Sequence, residues 1–486
     1  MKYNPFNKKL SELTEEDLAI LIESEVTEGW YIEYKSAIPV ANTNSEKLDN
    51  LKISKSISSF ANTKGGWIFW GISCNSKNNP IELNGINIEG FKNFEDQISQ
   101  IINSNINPNP FYQFKSIYLK NGNIVFVIQI EESPTPPYIT SQGIIFQREN
   151  NESKPIKERY IIEKLNEKTN EYYNSIEQFS TFNLPQTTGQ SNWNQTFLEL
   201  YLFPLPFNSF KFNNFYETDF FKQVAFRFYQ NHTINFDEND PESNVSLNLG
   251  FNSVFSSSES IIVRPLSENN LIYKATTLEL FENGNLKFLI PLNEFSTENI
   301  PRKYNKSKTI EYLLDKYSPN ETVSQSLMMN RLSKTPYSSL PTITRRKKTD
   351  FVNHIKFIDG VELISTILIL VSKYEAILKD YNFKMDSEIG FRAKVTDCWR
   401  KFVFFDDEEY LEKLKLYNIP LSPKNKIEIP IFKNGNSYKT NLSLGGSYLQ
   451  IARFILEGIG LPDADSIDFL NIIIKDFEFR NKDQAN

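Results

Sequence analysis

The chain contains few of the residues from which many enzyme active sites are built. Its 486 residues include two cysteines and two histidines, which lie far apart and form no paired spacing. A structural zinc site needs about four such ligands in paired spacings, so the sequence argues against one. A GxxxxGK[ST] loop is also missing, which argues against a P-loop ATPase. Neither His232 nor His354 lies in a recognisable motif for nucleophilic catalysis. Any hydrolytic chemistry must therefore use carboxylates and lysines, with or without a metal.

Long hydrophobic runs are missing as well. The longest candidate, residues 363–371, is far shorter than the roughly 20 residues that span a bilayer. The first residues contain no apolar segment typical of a signal peptide. Hydrophobic residues make up 40% of the chain and charged residues 23%, as in ordinary globular proteins. We therefore expect a folded cytoplasmic protein with no membrane segment.

Charge is distributed unevenly along the chain. The net charge is −7, yet residues 301–349 contain eleven Lys or Arg against three acids. This basic segment could neutralise several phosphates through residues such as Arg345 and Arg346. A solvated linker between two acidic domains is the alternative interpretation.

The pattern of elements predicts an α+β protein with several parts. A chain of this length favours two to four domains. Asn-Gly pairs at 121–122, 283–284 and 434–435 predict hairpins, and residues 361–381 have the periodicity of a long helix. The predicted parts are a mixed α/β domain at 10–170, a polar linker at 171–195, a β-rich region at 196–300, the basic connecting segment at 301–349 and an α+β domain at 350–486.

The stretch from Glu28 to Lys35 is the most informative for chemistry. If residues 30–35 form a strand, Glu33 and Lys35 project to one face, while Trp30 and its alternate neighbours face the core. Glu28, at the mouth of the strand, could curl toward Glu33. Two carboxylates beside a lysine could hold Mg²⁺ or Mn²⁺ and offset phosphate charge. The alternative is an ordinary solvated strand face with alternating charges.

The context of this stretch resembles a known domain. After Glu28, Glu33 and Lys35 come the block Ser59-Phe60-Ala61-Asn62-Thr63, then Gly65-Gly66 and an apolar strand that ends at Gly71-Ile72. Together these motifs resemble the divergent AlbA-like domain of the Schlafen family, over about residues 10–170. We therefore expect a Schlafen-like mixed α/β domain at the N-terminus, followed by a separate α+β region.

The resemblance implies a nucleic-acid-related function. Some Schlafen-type proteins are metal-dependent endoribonucleases that cut structured RNA such as tRNA, and others bind DNA or RNA. In the nucleases, two of three site carboxylates match Glu28 and Glu33, with Lys35 following. The third acid normally follows the end of the apolar strand, where this chain has Cys74. Cys74 itself is interpreted as a buried small hydrophobe.

The prediction is a Mg²⁺- or Mn²⁺-dependent nuclease with Glu28 and Glu33 as metal ligands and Lys35 as the third catalytic residue. The predicted nucleic-acid-binding residues are Lys52, Lys55, Asn62, Lys64, Gly65, Gly66, Arg148, Arg345 and Arg346. RNA is favoured over DNA, the resemblance implies a homodimer, and defence against phage is a function by analogy. The alternatives are a DNA- or RNA-binding regulatory protein that does not cleave, and a sensor that acts through residues 196–486.

For several of these residues a structural explanation competes with the functional one. The Gly65-Gly66 pair is also typical of an ordinary helix C-cap. Single lysines on a helix, such as Lys52 and Lys55, are commonly just solvated.

Overall fold

Helices and strands are mixed along the chain, which confirms the α+β fold class. The computed structural model separates into two units, Met1–Phe179 and Ser180–Asn486. The residues that it describes are 3–41, 44–88, 90–91, 93–182, 195–235, 244–247, 249–265, 276–296, 300–304, 306–317, 356–381, 388–399, 401–417, 422, 424–429, 439–441, 447–461, 464, 467–469 and 471–473.

The first unit, residues 1–179, combines a central sheet with helices on both of its faces. Its helices are α1 (Glu15–Glu23), α2 (Asn50–Ala61), α3 (Phe94–Asn105) and α4 (Arg159–Phe179). Its strands are β1 (Ile32–Lys35), β2 (Val40–Ala41), β3 (Asn44–Leu48), β4 (Gly65–Trp70), β5 (Ile72–Cys74), β6 (Pro80–Leu83), β7 (Ile106–Asn107), β8 (Tyr112–Tyr118), β9 (Ile124–Glu131), β10 (Ile139–Thr140), β11 (Phe146–Glu149) and β12 (Glu152–Pro155).

The central sheet of this unit has the strand order β1-β4-β9-β8. β1 runs parallel to β4, whereas β4 with β9 and β9 with β8 are antiparallel. Ile68 and Trp70 of β4 enter the core on the side of α2 and α3, and Trp67 and Phe69 enter the core on the side of α1. β4 is thus buried on both faces, as its continuous apolar sequence predicts.

Local sequence explains why α2 lies where it does. The Asp49 carboxylate accepts hydrogen bonds from the backbone N–H groups of Leu51 and Lys52, which caps the first turn. Ile53 and Ile57 then point into the core of the unit, and the opposite side of the helix is polar. This polar side carries the serines that enter the candidate site.

Two predicted boundaries in the first unit need correction. β1 begins at Ile32, because a tight turn in which Gly29 N donates to Ile32 O precedes it. Trp30, predicted to face the core, lies in this turn with 47% of its surface exposed. The predicted linker at 171–195 is helical as far as Phe179, because α4 continues and buries Ile176.

The second unit, residues 180–486, has a larger sheet. Its described helices are α5 (Thr218–Tyr229), α6 (Lys308–Tyr317), α7 (Gly360–Asp380), α8 (Glu408–Tyr417) and α9 (Ser447–Ile459). Its described strands are β13 (Phe197–Pro204), β14 (His232–Asn235), β15 (Asn244–Leu247), β16 (Ser253–Ser256), β17 (Ser260–Arg264), β18 (Thr277–Phe281), β19 (Leu286–Pro291), β20 (Glu294–Ser296), β21 (Lys356–Asp359), β22 (Glu388–Thr396), β23 (Phe402–Phe404), β24 (Lys426–Ile429) and β25 (Lys439–Asn441).

One sheet contains strands from both 196–300 and 350–486, the two regions that the sequence analysis predicts as separate parts. β13 pairs with β19 on one side and with β22 on the other, in the order β16-β17-β18-β19-β13-β22-β24, and β25 also pairs with β22. Residues of both regions share one hydrophobic core. The two regions therefore form a single unit, because the strand at the centre of the sheet takes one neighbour from each.

The long helix and two of the three hairpins follow the sequence prediction. α7 is apolar over most of its circumference and buried over most of its length. The hairpins at Asn121-Gly122 and Asn283-Gly284 join β8 to β9 and β18 to β19. The third predicted hairpin, at 434–435, lies outside the described residues.

Part of the basic segment is helical rather than loop. A short 3-10 turn, Arg302–Tyr304, precedes α6, and Ile310 and Leu313 of α6 are buried. Apolar side chains at helical spacing therefore form a helix in the part of the segment that precedes Pro319. Arg345, Arg346 and His354 lie outside the described residues.

Within the part of the chain that the structure describes, no helix combines the length and the apolar character needed to cross a membrane.

Candidate functional site

The centre of the candidate site is the side chain of Arg148 on β11. This side chain is 1% exposed, and its Nη1 lies 2.6 Å from Oε2 of Glu33. Its Nη2 lies 3.5 Å from Oε1 of Glu28. A buried guanidinium is tolerated only when its charge and its N–H donors are matched by partners. The sequence stretch around Glu28 therefore meets a counter-ion from the far end of the same unit.

The remaining donors of Arg148 bind backbone. Nε donates to the carbonyl of Gly29 and Nη2 to that of Ile32, each at 3.1 Å. The guanidinium carbon also lies 4.7 Å from the centroid of the Phe60 ring, in cation–π geometry. Arg148 thus joins the turn before β1, the strand itself and α2.

The Glu33 carboxylate accepts bonds on both of its oxygens. Oε2 accepts a hydrogen bond from Nη1 of Arg148. Oε1 accepts one from the Ser56 hydroxyl at 3.1 Å and lies 3.0 Å from Nζ of Lys35. Glu33 is 3% exposed, whereas the side chain of Lys35 is 45% exposed. Glu28, Glu33 and Lys35 do converge, as predicted, and the convergence takes the form of a bonded network of two carboxylates and two cations.

The motif Ser59–Thr63 has a structural role in this arrangement. The Thr63 hydroxyl accepts from the backbone N–H of Arg148 at 2.9 Å and donates to the carbonyl of Ser59 at 2.8 Å. The Ser59 hydroxyl lies 2.7 Å from that of Ser153 on β12. The polar face of α2 therefore fixes the β11–β12 hairpin that carries Arg148.

Asn62 is interior rather than at a nucleic-acid surface. Its amide nitrogen donates to the carbonyls of Tyr138 and Phe146, each at 2.9 Å, and its amide oxygen accepts from Tyr138 N at 2.7 Å. Both N–H donors and the oxygen of the Asn62 amide are therefore bonded within the unit. The same correction applies to Arg148, which was predicted to bind nucleic acid but is buried by its carboxylate partners.

Gly65 and Gly66 are also buried, and close contacts within the sheet leave no room for a side chain at either position. Gly65 has φ +68°, and a Cβ there would lie 2.5 Å from the carbonyl oxygen of Ile130 on β9. At Gly66 a Cβ would lie 2.6 Å from the carbonyl oxygen of Tyr31 and from the Phe60 ring. The two glycines allow β4 to pass closely between its neighbours in the sheet.

The predicted lysines face solvent. Lys52 is exposed and pairs with Asp49 at 3.2 Å, and Lys55 is exposed with Nζ 5.6 Å from the centroid of the Phe146 ring. Lys52, Lys55 and Ser56 share one side of α2, since residues three and four apart are neighbours on a helix. The two lysines therefore lie on the helix side that reaches Glu33. Lys64 is exposed in the turn after α2.

Cys74 lies at the end of β5 within electrostatic reach of Glu28. Burial, reinforced by the Glu28 carboxylate, raises the pKa of the Cys74 thiol to about 11. Burial also raises the pKa of Glu28, an effect that Lys35 opposes. The thiol is consequently neutral at physiological pH, packed against the core on the α1 side, and contributes no third anion.

These side chains, as arranged, do not fit a divalent ion held by Glu28 and Glu33. Mg²⁺ and Mn²⁺ bind oxygen atoms directly, and an ion on Glu33 would compete for its oxygens with Arg148, Lys35 and Ser56. The negative charge of the two carboxylates is already matched by two cations. Over the described residues, no group of three or more His, Cys, Asp or Glu side chains is placed to hold a metal ion.

Sequence reasoning missed the partnership of Arg148 with Glu33 and the part played by Ser56. A signal for the first was available. In the strand Phe146–Glu149, Arg148 alternates with Gln147 and shares the buried face of Phe146. An arginine on a core-facing strand position indicates a buried acidic partner.

Comparison with known proteins agrees with the motifs. Residues 28–157 match the family model described as Schlafen, AlbA_2. The search of curated proteins found no match. One solved structure similar to this chain is the crystal structure of the DIP2311 protein from Corynebacterium diphtheriae, with 17% identity over 29% of this chain and 26% of that chain and a TM-score of 0.20. The match thus spans about a quarter of that protein's length, and at this TM-score it carries no argument.

The family match supports a nucleic-acid-related role for the first unit. It covers the β1 acids, the glycine pair and Arg148, the residues around which the site is built. The first unit therefore carries, over residues 28–157, the match to the Schlafen AlbA_2 family that the motifs from Glu28 to Ile72 predict.

Proposed function

We propose that the first unit binds nucleic acid and does not cleave it. The observation that carries this proposal is the state of the Glu33 carboxylate, which accepts hydrogen bonds from Arg148 and Ser56 and forms an ion pair with Lys35. A carboxylate held in this way serves to position the surrounding strands. It is poorly suited to hold a catalytic metal.

The binding surface that we propose consists of the exposed lysines around this network. Lys35 lies at the end of β1, Lys52 and Lys55 on α2, and Lys64 in the turn after it. Their ammonium groups are donors suited to phosphate oxygens, and such contacts give affinity that falls with salt. The chain as a whole has a net charge of −7, so binding would depend on this local surface.

Loss of the third acid supports the same proposal. The position after the apolar strand holds Cys74, whose thiol carries no charge at neutral pH because its pKa is raised to about 11. Cleavage by a metal-bound water, with Glu28 and Glu33 as ligands and Lys35 at the phosphate, is the competing prediction that the test below decides. RNA as the preferred ligand, a homodimer and a role in phage defence stay predictions too.

The test measures binding and cutting together. Full-length protein is mixed with bulk tRNA or single-stranded DNA at several salt concentrations, with and without Mg²⁺ or Mn²⁺. We expect binding without cutting, and a weaker salt dependence for K52A/K55A, by about one unit of the log–log slope per lysine removed.

A matched control uses two exposed lysines on the α1 side of the unit. Lys9 and Lys120 flank residues of the core on that side, and Lys120 N donates to Glu15 of α1. K9A/K120A should bind like wild type. Metal-dependent cutting that E28A/E33A abolishes would overturn the proposal and establish the nuclease.

A further inference from the structure

Trp30 is a large apolar side chain presented to solvent beside the candidate site. It lies in the turn between Glu28 and β1 and is 47% exposed. Among the described residues it makes no stacked or edge-on ring contact. A tryptophan left half exposed forgoes much of the free energy that burial of its large apolar ring would contribute.

The turn that carries Trp30 is held rigidly. Gly29 N donates to Ile32 O at 3.0 Å, which closes the turn. Arg148 then binds the same two residues from beneath, with Nε on the Gly29 carbonyl and Nη2 on the Ile32 carbonyl. Both backbone positions that flank the Trp30 segment are therefore fixed by one buried side chain, so little conformational entropy is left to lose when a ligand contacts the ring.

The ring of the next residue in the chain already packs on another aromatic ring. Tyr31 stacks on Tyr3 with ring centroids 4.8 Å apart and an interplanar angle of 19°. The carbonyl of Tyr3 in turn accepts from Trp67 Nε1 at 3.2 Å. Of the two consecutive aromatic residues, Trp30 is the one that offers a ring to a ligand.

A cation is linked to the same network. Lys35 bonds Glu33, Glu33 bonds Arg148, and Arg148 bonds the turn of Trp30. An exposed aromatic ring and a half-exposed ammonium group are thus held by one set of buried contacts. A stacking ring together with a phosphate-binding cation is the combination that suits an unpaired nucleotide.

We propose that Trp30 stacks on an unpaired base of a single-stranded nucleic acid while Lys35 contacts its backbone phosphate. This inference rests on the proposed function and specifies the ligand within it. A duplex hides the faces of its bases, so stacking on Trp30 selects single strands over double strands.

The test compares W30A with W399A in the full-length protein. Trp399 belongs to the second unit and is 50% exposed, so it controls for loss of a surface tryptophan. Fluorescence anisotropy with labelled single-stranded RNA and DNA, and with a hairpin duplex, gives the affinities. W30A should lose about 10- to 100-fold in affinity for single strands, the range that corresponds to one lost base stack. W30F should retain most of the affinity, and W399A all of it.

An oligonucleotide with abasic sites sharpens the result. Wild type and W30A should bind it equally, since no base is present to stack. If W30A binds ordinary single strands as tightly as wild type while K52A/K55A binds them weakly, the stacking inference is overturned and the proposed function stands. If wild type binds no nucleic acid, the proposed function itself is overturned.

Discussion

The guanidinium of Arg148 and the carboxylate of Glu33 form an ion pair with Nη1 and Oε2 2.6 Å apart, and solvent reaches almost nothing of either side chain. The two residues are 115 positions apart in the chain. Each makes the burial of the other tolerable, because an isolated charge in the interior would be expensive. The pair therefore ties β11 to β1 at the point where Glu28 and Glu33 would otherwise face one another.

Removing one partner of this pair should be costly. R148M leaves Glu33 buried without its strongest donor, and we expect a loss of about 3–5 kcal/mol in the free energy of unfolding. Urea unfolding of the full chain, followed by the fluorescence of the buried Trp67 and Trp70, measures it. Replacing both partners, as E33L/R148M, should recover most of the loss. An R148M variant as stable as wild type would contradict the structural role of the pair.

The pH dependence of stability should report on Glu28. Its pKa is raised, chiefly by burial, so the folded protein holds this proton more tightly than the unfolded chain. Stability from this group is therefore fully present below the ordinary pKa and declines as pH rises through the folded pKa. We expect E28Q to be more stable than wild type at pH 7 and to lose that advantage in acid, as measured by melting temperature against pH. E23Q, at an exposed carboxylate on α1, is the control and should show no such trend.

Two glycines with similar backbone conformations should respond differently to alanine. Gly65 and Gly143 have φ +68° and +74°, but a Cβ at Gly65 would meet backbone atoms at 2.5 Å while nothing lies within 4 Å at Gly143. G143A should cost about 1–2 kcal/mol for the left-handed conformation alone. G65A should cost clearly more, because β9 would have to move. Equal losses in urea unfolding would show that the close passage of the strands is not what requires glycine.

The thiol of Cys74 should react slowly with alkylating agents. Its pKa of about 11 leaves a small fraction of thiolate at pH 8. Since only the thiolate attacks, the rate with iodoacetamide should be about 100-fold below that of an ordinary exposed thiol. Mass spectrometry of the peptide containing Cys74 gives the rate, and Q142C supplies an exposed cysteine for comparison. Rapid labelling of Cys74 at pH 8 would contradict the raised pKa.

Local patterns in the sequence were sufficient for much of the first unit. The two-sided burial of β4 and the hairpin at Asn121-Gly122 depend on residues close together in the chain, and both are found. The convergence of Glu28, Glu33 and Lys35 follows from strand alternation over a few residues. These features depend on the geometry of a few neighbouring residues, which can be inferred from the residue pattern alone.

The features that the sequence did not predict depend on residues that are distant in the chain. Nothing near Glu33 indicates that Arg148 will neutralise it, and so the acids were interpreted as metal ligands. Trp30 was assigned to the core because strand alternation was extended two residues too far, into a turn that Arg148 stabilises from the other end of the unit. Long-range partners decided both cases.

The central position of β13 has a consequence for biosynthesis. Phe197 of this strand pairs with Thr396 of β22, so one of its edges stays open until the ribosome has released nearly two hundred further residues. During that interval the nascent chain presents an unpaired apolar strand, the kind of edge that recruits chaperones or nucleates aggregation. Slower synthesis or added chaperones should therefore raise the yield of the folded second unit.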